Sequence, residues 1–416
     1  MFRLPDARQV PQLAGALTDM QTARRTTQAS MLALTVLAVF VFRSNAERWC
    51  PFGGVEAIYT YVSEGNMICS LGTSNFFILG GVLLTAVLLR RAFCGYLCPI
   101  GTISEMLRSA GARLRTPTIR VPRRLDRVLG AMKYVVLGTV LYFTWRAGEL
   151  LFRGYDPCYA LISRHGADIT HWAYVISAAI ALASLAIRLP FCRWFCPFAA
   201  VLHPFSRFAL TRIRRDPSIC THCQRCAKAC PMDIPVDRLE QVTSASCLSC
   251  MQCLDACAHK PSGAIHWGPP VLLGGRWPQA ALVVLLVACT AGAVSAAYLF
   301  PMPSFVKSRG SAPPETASIE LEVENLTCRG RANLFFWYLE RDDLFRIPGY
   351  LKVEGWPGPE AAEVRITYDP TLADAAAVKH AVTEPYYNLH EDLWRPSPFR
   401  IDGYDPIRID PMPVGP

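Results

Sequence analysis

Eight of the chain's 17 cysteines stand between Cys220 and Cys257, in two runs of the same spacing. The first is Cys220-x2-Cys223-x2-Cys226-x3-Cys230-Pro231. The second is Cys247-x2-Cys250-x2-Cys253-x3-Cys257, followed by Ala258 where the first has proline. Three thiolates on one such loop reach three irons of a cubane, and the fourth cysteine ligates the neighbouring cubane. The spacing therefore predicts two [4Fe–4S] clusters. Cys220, Cys223, Cys226 and Cys257 hold one, and Cys247, Cys250, Cys253 and Cys230 hold the other. Zinc is the competing metal, but zinc ribbons use pairs of cysteines, not triplets plus one.

Two further pairs share a motif, Cys94-Gly-Tyr-Leu-Cys98-Pro99 and Cys192-Arg-Trp-Phe-Cys196-Pro197. At helical spacing the two thiols of a pair share one face, and the following proline disturbs the helix. Four thiolates converging from two helices suit a further iron–sulfur cluster or a metal. Cysteines in membrane helices also pack as small hydrophobes, and the symmetric recurrence of the motif argues for the ligand role. Cys50, Cys69 and Cys158 fall where disulfides can form; Cys50–Cys158 is the symmetric pairing and Cys50–Cys69 the local one. Cys50, Cys158 and Cys328 are also weak metal-ligand candidates. Cys289 reads as packing. A membrane haem wants histidines on facing helices, and His171 and His203 lack such partners. His222 and His259 sit within the cluster loops. There is no nucleophile–base constellation and no Gly-rich nucleotide loop, and a quinone site would have to come from tertiary contacts.

Around these cysteines the chain is 52% hydrophobic and only 18% charged, against about a quarter charged in a soluble domain. The apolar excess is gathered into five runs, Ser30–Phe42, Thr73–Leu89, Val128–Trp145, Thr170–Leu189 and Pro278–Phe300. The last four approach or exceed the roughly 20 residues that a membrane span needs; the first is short unless Thr26–Ala29 are included, and is counted because the topology closes only with it. The net charge of +9 clusters beside these runs, in Arg90–Arg127 and Arg188–Arg276. That is the positive-inside pattern and speaks for a lipid bilayer rather than nucleic acid. Five spans with an inside N-terminus put the ferredoxin segment in the cytoplasm and everything beyond Phe300 outside, in the periplasm of a bacterial inner membrane. The expected order is a cytoplasmic segment (1–28), a four-span domain with both CxxxCP motifs (29–210), a ferredoxin domain (211–270), a fifth span (271–303), a Ser/Pro/Gly-rich linker (304–316) and an outer α+β domain (317–416). Each half of the four-span domain has an outer cysteine and an inner CxxxCP, a duplicated two-helix unit. In the outer domain, strand-like and helical patterns alternate as βαββα, the ferredoxin-like α+β order: strand Ala317–Asn325, helix Arg331–Leu344, strands Tyr350–Glu354 and Glu363–Tyr368, helix Ala373–Val382. The last thirty residues give no clear element.

Trp49-Cys50-Pro51-Phe52-Gly53, the two CxxxCP motifs and the two-cluster run, in this order, resemble the membrane polyferredoxins of the NapH, NosR and CcoG kind, over roughly residues 30–300. The resemblance implies electron transfer between the quinone pool or a cytoplasmic donor and a periplasmic redox partner. Its CcoG side implies the alternative of a copper reductase, or a metal-handling or cofactor-maturation protein. Residues from Ala317 to about Tyr387 resemble a heavy-metal-associated domain, through Asn325-Leu326-Thr327-Cys328 and Arg365-Ile366-Thr367-Tyr368-Asp369-Pro370. Such domains bind soft ions through CxxC; here Arg331 stands in place of the second cysteine. One thiolate is a poor soft-metal site, so the domain reads as a docking or structural module.

Overall fold

A computed structural model of the chain describes residues 20–42, 49–65, 67, 71–147, 151–162, 170–257, 263–269, 276–278, 280–309, 315–326, 329–341, 345–357, 361–388 and 393–404. Cys69, His259 and Cys328 lie outside these residues, as does the side chain of Cys158. The chain divides into two compact units.

The first unit holds residues 1–52 and 75–298. Helix α1 (Met20–Val36) continues into a π-helical turn, Leu37–Val41. It starts well inside the stretch expected to be an N-terminal segment. Helix α2 (Pro51–Glu64) begins here, then α3 (Ser74–Leu89), α4 (Ala92–Tyr96), α5 (Pro99–Arg113), α6 (Arg123–Ala147), α7 (Pro157–Ile162), α8 (His171–Ala186), α9 (Pro190–Trp194) and α10 (Pro197–Arg207) follow. Strand β1 (Arg212–Arg215) pairs antiparallel with β2 (Ile265–Gly268), enclosing the short helices α11 (Arg225–Ala229) and α12 (Gln252–Asp255). Helix α13 (Ala280–Leu299) closes the unit. By length and composition, α6 with 25 residues and α13 with 20 can cross a membrane; α3 and α8 are apolar but have 16 each. Val135, Leu182, Val284 and Val287 on these helices are exposed, as lipid-facing side chains would be.

The duplication is visible in backbone detail. In each half a five-residue helix, α4 or α9, is followed by Cys-Pro and a longer helix. Leu97 and Cys98 both donate to the Phe93 carbonyl, and Phe195 and Cys196 both donate to that of Phe191. Each half then reaches the end of the other's apolar helix. Ile119 N–H donates to Ala186 O, and Leu210 N–H donates to Val87 O.

The second unit joins residues 53–74 to 299–416. The segment after the first apolar helix is thus tied to the C-terminal domain. Tyr61 Oη donates to Pro303 O at 3.0 Å, Met67 N to Ser304 O at 2.9 Å and Val306 N to Gly65 O at 2.6 Å. The domain runs β3 (Phe305–Ser308), β4 (Ala317–Glu324), α14 (Arg329–Leu339), β5 (Tyr350–Pro357), β6 (Ala361–Tyr368), α15 (Ala375–Thr383), a hairpin of β7 (Tyr386–Asn388) and β8 (Leu393–Arg395), and β9 (Arg400–Ile401). The five-stranded antiparallel sheet has the order β3-β5-β6-β4-β9. Alternation in β4 and β6 turns Leu321, Val323, Val364 and Ile366 onto Phe335, Phe336, Val378 and Val382 of the helices. Asp374 caps α15 by accepting from Ala377 N at 2.7 Å. Two expectations are corrected here. The stretch 304–316 is not linker throughout, because Phe305–Ser308 has the alternation to add an edge strand to β5. The C-terminal stretch is not featureless, because β7, β8 and β9 lie in it; strands of two or three residues leave no periodicity to read.

Candidate metal centres

Both ferredoxin runs fold alike. His222 and Gln224 in the first, and Ser249 and Met251 in the second, have positive φ at matching places. Non-glycine residues take this conformation at a cost, and it turns successive N–H groups toward one point. Those amides bond the sulfurs: Arg225 N–H to Cys223, Ala227 N–H to Cys226, Gln252 N–H to Cys250, and Ile234 and Met232 N–H to Cys230. Cys220, Cys223, Cys226 and Cys257 line one cavity, with Thr221, His222 and Asp237. Cys230, Cys247, Cys250 and Cys253 line a second, otherwise apolar one, with Ile213, Met232, Val236 and Leu248. Cys223 is exposed, whereas every thiol of the second cavity is buried.

Burial pushes Cys226 and Cys250 up to about 11, Cys230 up to about 12 and Cys253 well above its ordinary value. Thiols so placed stay protonated unless a cationic centre takes the charge. Among the described residues no three His, Cys, Asp or Glu side chains close on a single metal ion. Four cysteines in each lining and the amide–sulfur bonds fit the cluster that the spacing implies.

The CxxxCP pairs are built differently from the expectation. The two thiols of a pair do not ride one helix face. Cys94 lies in α4 and Cys98 is the extended N-cap residue of α5; Cys192 lies in α9 and Cys196 is the N-cap of α10. Pro99 and Pro197 take the first helical position, where a missing N–H costs nothing, so each proline starts a helix instead of kinking one. The four thiols are nevertheless near enough to act on one another electrostatically. Burial, then Cys98, Cys196 and Cys94, hold Cys192 well above its ordinary value. Burial, then Cys94, push Cys98 up to about 11 and Cys196 up to about 12.

Arg91 sits among them, 1% exposed. Among the described residues its Nε and Nη1 have no hydrogen-bond partner, and Nη2 donates to Cys192 O at 3.4 Å. Burial opposes its charge, but Cys94, Cys196 and Cys192 outweigh that and raise its pKa. A buried guanidinium beside four neutral thiols would be an uncompensated charge. Four thiolates around a cationic centre would answer it, so these residues also fit such a group. Lys133, 5% exposed on α6, lies near Arg91 and Cys196 as a second cation.

Each CxxxCP segment grips the ferredoxin run that follows the opposite pattern of order, first on second and second on first. Arg90 donates to Ser244 O and Val242 O at 2.7 Å each. Arg91 N donates to Cys247 O at 3.4 Å, and Tyr96 Oη to Ser249 O. Gly95 lies so close that a Cβ there would stand 2.9 Å from Leu248 O. On the other side, Arg193 bridges Asp126 at 2.6 Å and Asp233 at 2.7 Å, and Arg188 donates to Lys228 O and Ala229 O. Helix α1 joins in: Gln21 donates to Cys250 O and Asp255, and Arg24 to Gly95 O and Glu105.

Of the other candidates, Cys50 precedes α2, and its carbonyl accepts from Asn75 at 2.7 Å. The proposed partners Cys69 and Cys158, and the candidate Cys328, fall outside what is described. Cys289 lies in α13 against α3, its carbonyl 3.2 Å from a Cβ built on Gly81. His203 pairs with Tyr134 Oη at 2.8 Å. Arg91, Lys133 and Arg193 were not expected as site residues: the charges of Arg91 and Arg193 read as part of the positive-inside count, although Arg91 stands three residues before Cys94 and Arg193 directly after Cys192, and Lys133 stands within an apolar run.

A family model described as a 4Fe-4S binding domain matches residues 71–117 and again 169–216, one CxxxCP motif in each. A second, described as a 4Fe-4S dicluster domain, matches residues 212–258. YccM of Escherichia coli (strain K12), named for electron transport, is 30% identical over 57% of this chain and 72% of its own length. The ferredoxin-type protein NapH of Haemophilus influenzae (strain Rd) is 28% identical over 43% of this chain and 63% of its own. The regulatory protein NosR of Pseudomonas aeruginosa (strain PAO1) is 29% identical over 39% of this chain and 23% of its own. No solved structure matches. With its cysteine cavities, its duplicated CxxxCP helices and these relatives, the chain is an iron–sulfur electron-transfer protein and belongs to the NapH/NosR-type polyferredoxin family.

Proposed function

We propose that the chain relays electrons across a bacterial inner membrane, between the quinone pool or a cytoplasmic donor and a periplasmic redox partner. In this reading Cys220, Cys223, Cys226 and Cys257 hold one [4Fe–4S] cluster and Cys247, Cys250, Cys253 and Cys230 a second. Cys94, Cys98, Cys192 and Cys196 hold a third cluster at the membrane edge. Bound clusters supply one-electron exchange. The chain's own residues seat them in amide-lined or buried pockets, keep water from the second and balance charge at the third through Arg91.

The observation that carries the reading is contiguity. The exposed Cys223 cavity, the buried cavity beside it and the thiol quartet follow one another, with Arg91 N–H bonded to the Cys247 carbonyl between the last two. The topology has support too. The segment 53–74 and the C-terminal domain share a unit, as two parts on one membrane side would. Helix α1 begins against the ferredoxin loops, as an N-terminus on the same side would. The C-terminal domain then serves as a periplasmic docking module.

Iron analysis with EPR tests the reading. About 12 irons per chain are expected, falling to about eight in Cys94/Cys98/Cys192/Cys196→Ser. Eight irons in both proteins would remove the third cluster. Fewer than eight in the unaltered chain would remove the ferredoxin assignment.

A further inference from the structure

The β1–β2 hairpin carries a group of cationic side chains that the iron–sulfur sites do not use. Register sets Arg214 opposite His266 and Arg212 opposite Gly268, while Ile213 and Trp267 form the adjacent buried pair. Among the described residues, Arg212 Nε, Arg214 Nε and Nη2, His266 Nδ1 and Gln241 Nε2 are all buried without a hydrogen-bond partner. Gln241 belongs to the group because its backbone bridges Arg214. Arg276 acts electrostatically on His266 and on Asp216, and Arg212 acts on Arg214 and Arg90. The Asp216 carboxylate acts on His266, and it accepts from Ser218 N at 3.0 Å and Ser218 Oγ at 2.6 Å. Buried donors left unmade are costly, and here they cluster among like charges. An anionic acceptor would satisfy them.

The surroundings say what kind. Strand β1 follows α10 through Phe208 and Leu210, which are 73% and 49% exposed. Strand β2 leads to the exposed Trp277, whose N–H donates to Trp267 O at 3.0 Å and whose ring meets that of Trp267 edge-on at 5.6 Å. Three residues later α13, one of the two helices long enough to cross a membrane, begins. Exposed apolar and aromatic residues beside arginines, at the end of such a helix, mark the level of lipid headgroups.

We infer that this face binds the phosphate of an anionic phospholipid headgroup. Arg212, Arg214 and Arg276 supply charge, Gln241 and His266 supply neutral donors, and Phe208, Leu210 and Trp277 lie against the acyl chains. Inorganic phosphate would share the cationic contacts but leave the apolar rim unused. The test uses full-length, iron-loaded protein in detergent with equal phosphatidylglycerol and phosphatidylcholine, read by native mass spectrometry. Phosphatidylglycerol is expected to be retained preferentially. Arg276→Gln should lower that preference about fivefold and Arg212→Gln/Arg214→Gln further, whereas Arg146→Gln at the far end of α6 should leave it unchanged. If the double variant loses iron, Arg276→Gln decides alone. Equal retention of the two lipids by the unaltered protein overturns the site, as does a preference that survives Arg276→Gln. Thermal stabilisation by millimolar inorganic phosphate as large as that by phosphatidylglycerol overturns the lipid as its source.

Discussion

Arg91 is where a single side chain has the most to say about the chemistry. It is permanently charged, nearly inaccessible, and lacks an acceptor for two of its nitrogens. Its electrostatic partners are thiols from both halves of the duplication, so it bears on whatever they hold. Arg91→Leu should lower the reduction potential of the centre at Cys94, Cys98, Cys192 and Cys196 by roughly 100 mV, the order expected of a unit charge at close range inside a protein. Arg91→Lys should restore part of it. An EPR-monitored redox titration checks both. An unchanged potential in Arg91→Leu would mean that the guanidinium compensates nothing. That the eight ferredoxin cysteines gather in two sets of four around two cavities was legible from spacing, because short loops fix which irons of a cluster a thiol can reach. Arg91 was not, because an arginine before a cysteine motif looks the same in sequence whether it meets water or four sulfurs.

At the scale of elements, the helix breaks matter more than the helices. The sequence pointed to a disturbed helix at each CxxxCP. The structure gives two helices per motif, with the second cysteine as N-cap and proline opening the next. Helical spacing alone could not choose between these, since proline is compatible with both a kink and a start. Two elements invite direct tests. Gly65 has φ +69 and a Cβ there would stand 1.9 Å from Val306 O. Gly65→Ala should therefore destabilise the second unit by at least about 1–3 kcal/mol, seen as faster limited proteolysis of residues 299–416 with iron content unchanged. His203 on α10 is pushed down to about 4, first by burial and then by Lys133 and Arg91. Its folded pKa lies below the unfolded value of about 6.5. Between those values the unfolded chain binds a proton that the folded one does not. Stability should thus be full above about pH 6.5 and fall as pH drops toward 4. His203→Gln should flatten that part of the melting-temperature profile relative to the unaltered protein.

For the whole molecule, the proposed sidedness makes a prediction that no single residue does. Alkaline phosphatase fused after Ser308 should be active and green fluorescent protein fused after Arg215 should be bright. The reverse pair of results would invert the topology, and an inactive phosphatase fusion beside a bright fluorescent one would remove the fifth crossing. The sequence by itself determined the two cysteine runs, the five apolar stretches, the repeat of CxxxCP and the strand–helix order of the C-terminal domain. These are local or periodic properties, set by loop reach, span length and alternation. Only the tertiary structure decided that the first CxxxCP segment docks on the second ferredoxin run and the second on the first, through Arg91, Tyr96, Arg193 and Asp233. It alone joined residues 53–74 to the C-terminal domain, turned Phe305–Ser308 from linker into an edge strand, and set Arg91 among the four thiols. The reason is physical. Such contacts join residues tens to hundreds of positions apart, and their energies come from burial, charge pairing and close backbone approach, none of which leaves a period or a spacing in the chain.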